Sequence, residues 1–115
     1  MKFDRFEDII AWQKAKEMAL HVYSAFKNNN DYGFKDQIFR SSVSVMNNIA
    51  EGYERKSNQD FQRFLFIAKG SCGEVRSMIQ LAYELNYISV QEYDSLWKLS
   101  FEISKILSGL IKALN

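Results

Sequence analysis

Few side chains in this 115-residue sequence have the types and spacing that covalent chemistry requires. His21 is the only histidine and Cys72 the only cysteine. A histidine works as a general base when a carboxylate orients it and a nucleophile lies within reach. No acidic or nucleophilic residue stands in such a motif with His21, which reads as a partly exposed helix residue. Cys72 falls on an apolar stripe, whereas reactive thiols need accessible, electropositive surroundings, so it reads as a buried thiol. One cysteine forms no internal disulfide and supplies no Cys₂His₂ or Cys₄ metal site. The H-E-x-x-H, P-loop, G-x-G-x-x-G and G-x-S-x-G patterns do not occur. The expectation is a chain with no catalytic residues, no cofactor and no metal.

What remains is recognition of phosphates and polar partners, the work of arginine and lysine. Arg40, Arg55, Lys56, Arg63 and Lys69 form one basic group, and Lys98, Lys105 and Lys112 recur every seven residues. Asn47-Asn48-Ile49-Ala50-Glu51-Gly52 is the most distinctive run, and Asn47, Asn48 and Glu51 make a candidate polar cluster beside Ser44 and Arg40. That cluster is either a solvated face with local ion pairs or a contact surface where Arg40 and Arg55 meet carboxylates or phosphates. Gly70-Ser71-Cys72-Gly73 matches the G-x-x-G clamp of KH domains, but that clamp is a loop and this tetrapeptide interrupts no helical pattern. Two glycines inside a helix cost about 1 kcal/mol each relative to alanine. Their presence predicts close helix–helix approach, with a kink or a ligand contact as the alternative.

The elements that must position these residues are helices. Proline is absent, which disfavours a loop-rich β sandwich. Ile9, Trp12, Ala15, Ala19, Val22, Tyr23 and Phe26 step by three or four, as do Ile38, Ser42, Val45, Ile49 and Gly52. A third series runs through Phe61, Phe64, Leu65, Ala68, Cys72, Val75, Ile79 and Ala82, and a fourth through Tyr93, Leu96, Ile103, Leu107, Leu110 and Leu114. Ser57 with Asp60 and Ser89 with Glu92 mark two helix starts by the spacing of a capping box. The spacing predicts helices near 6–28, 34–54, 58–86 and 90–114. Short connections make consecutive helices neighbours, so the fold class is all-α, an antiparallel up-down-up-down four-helix bundle in a single domain, 1–115. Helix four is apolar over a wide arc, with Leu99 and Ile106 on one shoulder and Trp97 and Ile111 on the other. It is either a central helix touching two neighbours or a helix with one shoulder in a subunit interface. No membrane-length apolar run and no secretory leader is visible, which suggests a cytoplasmic protein.

Taken together, these residues carry a resemblance. Phe6-Glu7 with Trp12, Gly33-Phe34 leading to Gln37 and Arg40, Asn48-Ile49-Ala50-Glu51-Gly52 with Arg55, and Phe61, Phe64, Ala68-Lys69-Gly70-Ser71 and Glu74 resemble the 23S rRNA-intervening-sequence protein family. The similarity covers nearly the whole chain; the Asn28-Asn29-Asn30-Asp31 loop departs from it where relatives carry a proline and a glutamate. The resemblance implies a bacterial protein, an antiparallel four-helix bundle and a ring-like homopentamer, and brings no catalytic residues. A related protein, the accessory variability determinant of diversity-generating retroelements, binds nucleic acid and a reverse transcriptase. Its basic residues match no defined motif here.

The function expected is a non-enzymatic oligomeric scaffold that binds RNA or a nucleoprotein partner through phosphate contacts repeated around the ring. A net charge of +1 speaks against a strongly basic nucleic-acid binder and favours the alternative, a protein–protein adaptor. A continuous basic band on the surface points to the first, interspersed signs to the second.

Overall fold

The computed structural model describes residues 3–115, and every regular element among them is helical. A single 3₁₀ turn, Phe6–Asp8, precedes four α-helices: α1 Ile10–Phe26, α2 Tyr32–Glu54, α3 Asn58–Glu84 and α4 Val90–Ala113. The arrangement is that of a four-helix bundle, 42 × 21 × 19 Å. Each helix packs on its neighbours in sequence, α1 also packs on α4, and α1 and α3 lie diagonally, with no Cα of one within 8 Å of a Cα of the other. None of the described helices is long and apolar enough to cross a membrane.

The helix starts follow the capping chemistry. Ser57 accepts the Asp60 amide at 3.3 Å. Ser89 and Glu92 make a complete reciprocal box, with the Glu92 amide donating to Ser89 at 3.1 Å and the Ser89 amide to the Glu92 carboxylate at 2.8 Å. Asp31 caps α2 by accepting the Phe34 amide at 3.2 Å, which starts that helix at Tyr32, two residues before the expected Phe34. The first predicted helix is split. Ile9 is extended (φ −78°, ψ 120°) and its side chain is buried in the core, so the backbone leaves the helical path for one residue before α1 begins. The Gln13 amide donates to the Glu7 carbonyl at 2.8 Å across that break. Asn86 ends the α3 connection with φ 62°, a left-handed conformation that asparagine tolerates better than most residues.

The core follows the helical stripes. All eight residues of the α3 series and all five of the α2 series are buried. Each Leu or Ile so enclosed contributes about 1.5–3 kcal/mol relative to an exposed one. One expectation is corrected. Gly70 and Gly73 do not mark close helix approach: a Cβ on either would meet nothing within 4 Å, because both project outward from α3. The glycine that permits close approach is Gly52, where α2 rests on Phe61 and Phe64 of α3. On α4, Leu99 and Ile106 pack partly onto the core, as the central-helix alternative expects for that shoulder.

Candidate functional site

The lysine series of α4 forms one exposed line. Lys98, Lys105 and Lys112 are all exposed, spaced about 10 Å apart by the helical rise. Trp97 and Phe101, four residues apart and therefore on one face, stack beside them with ring centroids 5.2 Å apart and planes 14° from parallel. The Lys105 ammonium sits 5.7 Å from the Phe101 centroid. Trp97, Lys98, Phe101, Glu102, Lys105 and Ile106 border an open groove of about 430 Å³. The carboxylate of that groove, Glu102, is held by Lys14 of α1 at 3.1 Å. The groove therefore presents two lysines whose charge its own lining does not cancel. The aromatic pair was legible only as an i, i+4 spacing; which pairs of that kind lie outside the core depends on how α4 is seated.

The second basic group is divided. Arg55 at the end of α2 and Arg63 at the start of α3 approach the same ring, their guanidiniums 5.0 and 4.6 Å from the centroid of Phe64. Each already has a carboxylate, Arg55 on Glu51 at 3.2 Å and Arg63 on Asp60 at 3.6 Å. Lys56 joins them, left-handed at φ 62°, with its ammonium 5.8 Å from the Tyr53 ring. Arg40 stands fifteen residues before Arg55 on α2, about 22 Å away along the axis, and Lys69 is half-buried further along α3. The structure thus brings Arg55, Lys56 and Arg63 together and leaves Arg40 and Lys69 apart from them.

The polar cluster divides as well. Asn48 donates to the Ser44 carbonyl at 2.8 Å and to its hydroxyl at 3.0 Å, and that hydroxyl meets the Ser71 hydroxyl at 2.9 Å. Asn48 is therefore part of a seam between α2 and α3, which Gln37 extends by donating to Glu74 at 3.3 Å. Asn47 faces solvent, and Glu51 is engaged by Arg55. The pairing of Ser71 with Ser44 and of Gln37 with Glu74 depends on cross-helix register, which neither helix carries alone.

His21 is half-buried on α1 beside Glu17, Ser95, Lys98 and Glu102 in a shallow depression. No group of three or more metal-ligating side chains occurs among the described residues. Cys72 is buried and donates its thiol to the Ser100 carbonyl at 3.1 Å; burial pushes its pKa up to about 11, which leaves it a poor nucleophile.

Residues 7–109 match the family described as 23S rRNA-intervening sequence protein. The chain belongs to the 23S rRNA-intervening sequence protein family. A solved structure similar to it is a protein of unknown function from the S23 ribosomal protein family of Bacteroides thetaiotaomicron, 29% identical, with a TM-score of 0.84. The alignment covers 89% of this chain and 98% of that one. No curated protein matches. The family match spans every candidate residue except Lys112, which lies beyond its end.

This family member also exposes large apolar side chains on diagonal helices. On α1 these are Ile10, Leu20 and Tyr23; on α3 they are Phe66, Ile67 and Leu81, with Gly70 between them. Tyr23 meets Phe39 of α2 edge-on at 5.7 Å over a small pocket of about 160 Å³ floored by Val22 and Phe26.

Proposed function

We propose that this chain is a non-enzymatic, homo-oligomeric scaffold that holds RNA or a nucleoprotein by phosphate contacts along α4. The observation that carries the reading is the exposed line of Lys98, Lys105 and Lys112, with Glu102 beside it already engaged by Lys14. Repeated around an oligomer, one such line per subunit multiplies weak contacts. The bundle is read as up-down-up-down and antiparallel, supported by three links between ends: Tyr53 to the Phe3 carbonyl, Gln62 to the Ile111 carbonyl, and Tyr87 to Asp31.

Self-association is read at α1 and α3. Their exposed apolar residues lie on opposite sides of the bundle, and a ring of odd order needs two different faces per subunit. The pentamer as the number follows from the family resemblance. A protein–protein adaptor is the second reading, favoured by the internal neutralisation of Arg55 by Glu51 and Arg63 by Asp60.

The test is anisotropy of a labelled RNA against salt. The reading expects log affinity to fall linearly with log salt, and Lys98→Gln, Lys105→Gln and Lys112→Gln together to weaken binding and flatten the slope by about 3 × 0.7 for a single strand. Absence of RNA binding at low salt would leave the adaptor.

A further inference from the structure

We propose that the groove on α4 is a stacking site for an unpaired nucleobase, with Phe101 and Trp97 as the platform and Lys98 and Lys105 as phosphate contacts. The proposal rests on the nucleic-acid reading above and adds the strand state of the ligand.

Three observations converge. Phe101 is 45% exposed although it is a large apolar side chain, and its ring continues a near-parallel stack begun by Trp97. Trp97 packs partly on the core, which fixes the inner end of the stack. The open side of Phe101 is occupied by the Lys105 ammonium rather than by another apolar group. A flexible cation over an exposed ring is displaced readily, since such contacts at exposed sites contribute only about 0.5–1 kcal/mol. A base can take its place on the ring while the ammonium moves to the adjacent phosphate.

The lining decides the occupant. An apolar peptide would bury Lys98 and Lys105 without giving them acceptors, and a second copy could offer its carboxylates to the lysines but would have to match a flat aromatic face at the same place. A strand of nucleic acid supplies a flat π surface for the rings and anionic oxygens for the lysines at once. Glu102 does not oppose this, because Lys14 holds it. Two other opposing charges stand near Lys98: Asp94, exposed one turn earlier on α4, and Glu17 of α1, which shares the shallow depression with it. Paired bases are stacked on one another and offer no free face, so the site selects single strands.

The experiment compares a labelled 15-nucleotide RNA of mixed sequence with the corresponding duplex, using the full chain and its Phe101→Ala, Phe101→Trp and Asp94→Asn variants. Phe101→Ala should weaken single-strand binding by about 5- to 150-fold and leave duplex binding unchanged. Phe101→Trp should restore it, and Asp94→Asn should tighten both. Equal single-strand affinity in Phe101→Ala and the unaltered chain, with loss on the triple lysine replacement, would overturn the stacking site and leave the phosphate reading standing. Binding of neither RNA would overturn both. Dissociation of an oligomer by Phe101→Ala would assign the groove to a second copy and overturn the proposal.

Discussion

A Cβ placed on Gly52 of α2 would lie 2.6 Å from the Cβ of Phe64 in α3. That separation is shorter than any real contact of the kind, and its partner atom is fixed to the backbone of α3. The last turns of α2 and the first of α3 are therefore held together by the absence of one methyl group. The same approach brings Arg55 over the Phe64 ring.

Gly52→Ala should destabilise the fold by about 1–3 kcal/mol through overpacking. Gly70→Ala, at an open helical position, should stabilise it by up to about 1 kcal/mol. Urea midpoints of the two variants should move in opposite directions. Equal shifts would show that Gly52 is not a contact glycine.

Replacing Phe66 and Leu81 by glutamate should leave helicity intact and abolish the self-association proposed above, because both are exposed on α3 and lie outside the core. Light scattering reads this as a fall to 13.5 kDa. An oligomer that survives both charges would move the contact away from α3.

The hydrogen bond from Tyr87 to Asp31 at 2.7 Å ties the end of the α3–α4 connection to the cap of α2. It holds the Asp31 carboxyl below its ordinary range, with the Phe34 amide contributing, and raises the Tyr87 phenol. A carboxyl with a lowered folded pKa stabilises the fold above its unfolded value, and that contribution is lost as pH falls through the folded one. A raised phenol contributes below its unfolded value and loses the contribution as pH rises through the folded one. Tyr87→Phe should thus flatten both the acid limb, below the ordinary carboxylate range, and the alkaline limb, above the ordinary phenol range. Thermal melts across pH check it, and unchanged limbs would contradict the link.

Cys72 should resist thiol reagents at pH 8 in the folded protein and react fully in denaturant, since it is buried and its pKa stands at about 11. Its raised pKa contributes stability below the ordinary thiol range that is lost as pH climbs toward about 11. Rapid native labelling would show an open route to the α3–α4 seam.

Within a helix, the sequence was a good guide. The stripes of α2 and α3 were read without error, and the Ser89/Glu92 box marked its helix start to the residue. Capping and periodicity are local, so a single sequence contains them. The break at Ile9 was missed because Phe6 and Ile9 have helical spacing; the burial of Ile9 against the other helices sets its extended backbone. Gly52 lies in the small-residue stripe of α2, where periodicity already points to close approach, whereas Gly70 lies off the buried stripe of α3, and its interior position in a helix does not say which face it is on. The candidate surface shows the same boundary. The lysine line of α4 could be counted out in sevens, but the pairing of Glu102 with Lys14 and the gathering of Arg55 and Arg63 on Phe64 are properties of register between helices.

The seam between α2 and α3 runs from Gly52 against Phe64, through Ser44 with Ser71, to Gln37 with Glu74, after a connection of only residues 55–57. Chain closure over so short a connection is entropically cheap, so this hairpin is expected to form early in folding. Its amides should exchange with solvent deuterium last. The α1 helix, 17 residues against 23 and 27 for the two of the hairpin, is the shortest of the four and should exchange earlier and open as a separate unit. A bundle built this way can release its first helix while the α2–α3 hairpin stays whole, so its unfolding begins at one edge.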